Sequence, residues 1–191
     1  VKTPIAIFAS GSGTNAEEII RHFKKHDHIA VALILSNNPD AYVLERAKNH
    51  QIPILVFDRN TFYKETTVDD TLAKYGIKFI VLAGFMWLMP ERIVKKYSDK
   101  MINIHPALLP TYGGKGMYGM HVHEAVVKNR ETHSGITIHL VNEEYDKGKI
   151  LFQATCPVEP ADTAYDVAVK VHALEYAHYP TVIERAILMG K

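Results

Sequence analysis

The sequence has a single cysteine, Cys156, in 191 residues. That excludes an intrachain disulfide framework and suits a reducing compartment. No apolar run approaches the roughly 18 residues that a membrane span requires. No signal-peptide pattern opens the chain, so the expectation is a cytoplasmic protein with no membrane partner. Net charge is almost missing too: 22 Lys+Arg stand against 21 Asp+Glu, a formal +1. A broad polyanion surface needs clustered excess Lys and Arg, so no nucleic-acid partner is expected. Linkers, internal repeats and low-complexity tracts are also absent. What remains is ordinary for a globular chain, with 47% hydrophobic and 23% charged residues. At about 100–200 residues per domain this reads as one domain, large enough to bury a core without metal or disulfide. The one surplus is histidine, eleven in all.

Short β-rich runs alternate with amphipathic stretches through the first hundred residues. Ile5–Ala9, Ala30–Leu35, Ile54–Phe57 and Phe79–Ala83 read as buried strands. Glu17–Lys25, Ala41–His50 and Lys64–Tyr75 read as the helices between them. Further on, Met101–His105 predicts a strand stopped by Pro106, and His123–Lys128 a helix. Gly135–Val141 and Lys149–Val158 predict an antiparallel pair about the turn residues Asp146-Lys147-Gly148. Asp162 is expected to cap a last helix, which Pro180 should kink or restart. The fold class is therefore α/β, a doubly wound, mostly parallel, Rossmann-like sheet with an antiparallel C-terminal edge.

Two motifs point to chemistry. Gly11-Ser12-Gly13-Thr14-Asn15 joins the first strand to the first helix, where outward N–H groups favour an anion. A dinucleotide site wants an acidic residue ending the second strand, and here that strand ends Leu35-Ser36-Asn37-Asn38. A monophosphate fits better, the alternative being a tight turn with no ligand. The second motif is Asn103-Ile104-His105-Pro106. Residues two apart on a strand face the same way, so amide and imidazole project together from a C-terminal strand end. An amide can stabilise an oxyanion and a histidine can move a proton; a buried structural histidine is the competing reading. No serine or cysteine elbow accompanies them, which favours direct attack by the substrate over a covalent intermediate. Asp146 by itself is an ordinary turn aspartate. It gains meaning only where the turn folds back over His105.

With Val81-Leu82-Ala83-Gly84-Phe85-Met86, Asn103–Pro110, the His133–Asp146 segment and Glu175 added to the glycine loop, the chain resembles a known family. It is similar over nearly its whole length to the folate-dependent glycinamide ribonucleotide (phosphoribosylglycinamide) formyltransferases, of the formyltransferase superfamily. The resemblance implies the formyltransferase fold in one domain. A phosphate-binding half would span roughly residues 1–100, and a folate-binding and catalytic half roughly 101–191. It also implies formyl transfer from 10-formyltetrahydrofolate to the amine of glycinamide ribonucleotide in de novo purine synthesis, through a tetrahedral intermediate. Asn103, His105 and Asp146 take the catalytic positions. Gly11, Ser12, Gly13, Thr14, Asn15, Pro106 and Glu175 take the ribonucleotide. Phe85, Met86, Trp87, Leu88, Asn103, His139 and Val141 take the folate, with His121 and Thr137 in support. No metal and no macromolecular partner are implied, and a monomer or homodimer is expected.

Two departures stand out. Trp87 occupies a position where the family often has arginine, so it either stacks on the folate or covers the core. The Tyr112–Gly119 stretch is longer than the common version, a solvated loop or a lid. The histidines lack a His-Glu-x-x-His pattern, and Cys156 has no partner cysteine, so a functional zinc is not expected. Rival readings are a formyltetrahydrofolate hydrolase, a methionyl-tRNA formyltransferase, and a nucleotide-binding protein without formyl chemistry.

Overall fold

The computed structural model describes residues 1–190. Five strands are parallel: β1 (Thr3–Phe8), β2 (Ile29–Ser36), β3 (Ile54–Val56), β4 (Phe79–Leu82) and β5 (Met101–His105). Then β6 (His133–Leu140) and β7 (Ile150–Pro157) continue the sheet antiparallel. The seven strands lie in the order β3-β2-β1-β4-β5-β6-β7. The chain runs outward from β1 to β3, then returns to the other side of β1 as β4. That reversal opens a crevice at the carboxyl ends of β1 and β4, where ligands of such sheets bind.

The helices are α1 (Thr14–Phe23), α2 (Val43–Asn49), α3 (Arg59–Tyr63), α4 (Thr67–Lys74), α5 (Glu91–Lys96), α6 (Met120–Lys128) and α7 (Ala164–Leu188). Alternation along the strands divides the interior in two. Ile5, Ile7 and Val81 join the core under α1 and α7, while Ala6, Phe8, Ile80 and Leu82 join the core under α4 and α5. Tyr179 of α7 is fully buried, and its hydroxyl reaches the Leu82 carbonyl at 2.7 Å and the Ile102 carbonyl at 3.3 Å.

Four local expectations change. The helix expected over Lys64–Tyr75 is preceded by a separate one, α3, capped reciprocally by Asp58 and Thr61. The short α5 gave no periodic signal. The α7 cap is Thr163, which exchanges hydrogen bonds with Asp166, because Asp162 instead accepts the Glu159 N–H and pairs with Lys170. Finally, α7 neither stops nor restarts at Pro180, which is buried within it; packing along the whole helix outweighs the one lost backbone donor.

Candidate active site

A cleft of about 540 Å³ opens at the reversal point. One wall is the glycine loop Gly11–Asn15, the other the end of β5, with Ala83–Met86 between them and the Gly114–Met120 loop alongside.

At the β5 wall, period-two alternation brings Asn103 and His105 to the same side of the strand. The antiparallel register then sets His139 of β6 opposite Asn103. Asn103 donates through Nδ2 to His139 Nε2 at 3.2 Å, and His139 Nδ1 donates to the Leu140 carbonyl at 2.9 Å. Asp146 does fold back over both rings. Its carboxylate lies 3.5 Å from His105 Nδ1 and 3.6 Å from His139 Nε2, and accepts the Gly114 N–H at 3.0 Å. Gly148 makes the return possible, since a side chain there would collide with the Leu140 carbonyl oxygen 1.5 Å away. His105 completes its bonding by donating Nε2–H to the Tyr112 carbonyl at 2.6 Å.

Electrostatics at this wall oppose one another. Burial pushes the His105 imidazole down from its ordinary value, while the Asp146 charge pulls it up. Burial also works to raise the Asp146 carboxyl, but the two histidine rings and the Gly114 N–H together hold it below the usual carboxylate range. Thr137 braces the root of the loop after β5. Its hydroxyl donates to the Ala107 carbonyl and accepts the Leu109 N–H.

At the opposite wall, Asn15 Nδ2 donates to Glu175 Oε2 at 2.9 Å, and Asn15 Oδ1 is buried with no partner. Burial pushes the Glu175 carboxyl up to about 7. His123 is 1% exposed and lines the same region; burial takes its imidazole down to about 4, and Nδ1 has no partner. Two buried polar atoms of this wall thus keep hydrogen-bonding capacity that no side chain or backbone group fills.

The predicted site residues fall into two groups. Gly11, Ser12, Gly13, Thr14, Asn15, Phe85, Met86, Asn103, His105, Pro106, Asp146 and Glu175 all line the cleft. Thr137 and His139 stand directly behind it. Trp87 and Leu88 do not line it. Trp87 is packed against Phe57, Phe62 and Tyr63 with the Arg59 guanidinium 4.6 Å over its ring, so it covers the core. Leu88 offers its carbonyl to the Tyr63 hydroxyl. Val141 lines a separate hollow beside α5. His121 is exposed and faces the Gly116 carbonyl at 3.3 Å, because the helical turn of α6 sends His123 inward instead. Sequence reasoning missed Lys115 and the Tyr112 carbonyl, both loop features that no periodicity marks. No group of three or more metal-ligating side chains converges among the described residues, and no described helix is long and apolar enough to cross a membrane.

A sequence profile of the formyl transferase family matches residues 3–183. The chloroplastic phosphoribosylglycinamide formyltransferase of Arabidopsis thaliana is 39% identical over 187 residues, covering 94% of this chain and 63% of that protein. The chain thus spans less than two thirds of the plant protein's length. The Haemophilus influenzae phosphoribosylglycinamide formyltransferase is 38% identical, over 94% of this chain and 85% of its own. The crystal structure of the Bacillus halodurans phosphoribosylglycinamide formyltransferase superposes with a TM-score of 0.87 at 35% identity, covering 98% of this chain and 97% of that one. Profile, relatives and fold agree with the arrangement of the cleft: the chain belongs to the phosphoribosylglycinamide formyltransferase family.

Proposed function

We propose that this chain transfers the formyl group of 10-formyltetrahydrofolate to the primary amine of glycinamide ribonucleotide, in de novo purine synthesis. The observation that carries the reading is the meeting of Asn103, His105 and Asp146 at one wall of a cleft whose other wall is the glycine loop Gly11–Asn15. In this reading Gly11–Asn15 take the phosphate, and Glu175 takes the ribose. The folate enters beside Phe85 and Met86, and the amine meets the formyl carbon next to β5.

The amine lone pair attacks the formyl carbon, and the carbonyl electrons move to its oxygen. One Asn103 N–H is engaged by His139; the other is free to donate to the developing oxyanion. His105 supplies the second donor once its Nε2–H leaves the Tyr112 carbonyl. Asp146 favours the imidazolium and orients the ring, as a carboxylate beside a histidine does. Collapse breaks the bond between carbon and folate N10. The proton lost by the amine passes to N10, with Asp146 placed to relay it. The folate is a co-substrate here, and no step calls for a metal.

The decisive experiment is an absorbance assay of 10-formyltetrahydrofolate with and without glycinamide ribonucleotide. Folate deformylation should require the ribonucleotide and yield its formylated product. Deformylation independent of the amine would identify a hydrolase, and none under either condition would refute formyl chemistry.

A further inference from the structure

We propose that Arg46, a residue of α2 outside the cleft, is a positioning residue for the anion loop: it holds the Ser12 carbonyl outward and so aims the Gly13 N–H at the substrate phosphate. The inference rests on the phosphate reading above and assigns the side chain that builds that site.

The argument starts from the peptide plane. In a trans peptide the carbonyl and the following N–H point in opposite directions. The Gly11 carbonyl accepts the Val43 N–H at 3.1 Å, and the Gly13 carbonyl accepts the Glu17 N–H at 2.9 Å. Between them the Ser12 carbonyl accepts from Arg46 Nε at 2.7 Å. Three successive carbonyls are therefore tied into the protein, which turns the N–H groups of Ser12, Gly13 and Thr14 the other way. Among the described residues those three N–H groups meet no acceptor. Successive N–H groups left free in this manner form an anion-binding concavity. Main chain holds the two outer carbonyls, and one side chain holds the middle one.

Arg46 is itself held. Its guanidinium lies 4.9 Å over the Tyr42 ring, and Nη1 is 3.7 Å from the buried Glu17 carboxylate. Glu17 is also met by Arg21 Nε at 2.9 Å and by His50 Nε2 at 2.8 Å. One carboxylate thus faces two guanidiniums and an imidazole, and it anchors the Nη1 side of the Arg46 guanidinium while Nε serves the loop. A lysine could not reproduce this, because a guanidinium presents separate N–H groups to Ser12 and Glu17 in a fixed fork.

The test compares Arg46→Gln and Arg46→Lys with Arg21→Gln, which removes a Glu17 partner without touching the loop. Calorimetric titration with ribose 5-phosphate is the direct readout. Arg46→Gln should weaken binding about tenfold, as expected for losing a charged hydrogen bond. Arg46→Lys should stay closer to the glutamine variant than to the native protein. Arg21→Gln should bind normally. In turnover, Arg46→Gln should raise the ribonucleotide KM by a similar factor, with kcat and the folate KM within about twofold. Normal ribose 5-phosphate binding by Arg46→Gln, or equal weakening by Arg21→Gln, would overturn the proposal; so would failure of the native protein to bind the probe. If thermal unfolding shows Arg46→Gln to be misfolded, Arg46→Lys carries the comparison. Native protein that binds ribose 5-phosphate yet transfers no formyl group would sink the proposed activity and leave the calorimetric result for Arg46 standing.

Discussion

The two walls of the cleft are built from different material. Around Gly11–Asn15 the groups that the proposed reading uses are backbone N–H donors, turned by what their carbonyls bond to. Around β5 they are side chains: an amide, two imidazoles and a carboxylate, each within about 3.6 Å of at least one of the others. A backbone site tolerates changes of side-chain chemistry but not of chain path. A side-chain site has the reverse sensitivity, since one lost functional group leaves the others without their partner.

The largest effect should come from the side-chain wall. His105→Ala should lower kcat by about 10²–10⁴-fold while the thermal unfolding curve stays cooperative. Asn103→Ala should lose about 10²–10³-fold, since one oxyanion donor is removed. Near-normal turnover by either would erase the contrast. The backbone wall should break through geometry instead. At Gly13, φ is +71°, and an added Cβ would sit 2.5 Å from Val43 Cγ2 and 3.0 Å from Val43 Cα. Gly13→Ala should therefore destabilise by about 1–3 kcal/mol and raise the ribonucleotide KM. At Gly11 a Cβ meets nothing within 4 Å, so Gly11→Ala should leave stability within about 0.5 kcal/mol in denaturant titration. Equal penalties at both would show that the loop's path is not what Val43 enforces.

A further comparison works through pH. Glu175 is the buried carboxyl of the backbone wall, with its pKa pushed up from 4.5 to about 7. Between those values the folded chain holds a proton that the unfolded chain has released, so its contribution to stability falls as pH rises through this window. Glu175→Gln should match the native protein in urea titrations below pH 4.5 and exceed it by up to roughly 3 kcal/mol above pH 7. His123 works in the opposite sense. Its imidazole, held down to about 4, lowers stability as pH falls below 6.5. A Glu175→Gln variant with an unchanged pH slope would remove that carboxyl as the titrating weakness of the wall.

How legible each wall was in the sequence follows from the same difference. Asn103 and His105 could be read together because period two is a local rule, and the glycine loop because its place between strand and helix is local too. Asp146 could not be resolved. Its reach depends on the register of β6 against β5 and on a turn that passes Gly148 under the Leu140 carbonyl, both set by distant pairing. Arg46 carried no signal, since its partner is a main-chain oxygen 34 residues earlier. Trp87 could be read two ways by position: it sits one residue past Met86, which lines the cleft, yet its ring turns to the aromatic cluster around Phe57 and Phe62, the core-covering alternative. At Pro180 the restart that propensity offered does not occur, because packing carries α7 through.

Tyr179 adds a timetable to this architecture. Its hydroxyl bridges the carbonyls of Leu82 and Ile102, so it fastens β4, which leads into the floor of the cleft, to β5, which forms one of its walls. The same helix brings Glu175. Because α7 follows every described strand, a nascent polypeptide can have the whole sheet outside the ribosome and still lack both the fastener and the Glu175 carboxyl. Competence on this account arrives with α7 rather than with the sheet.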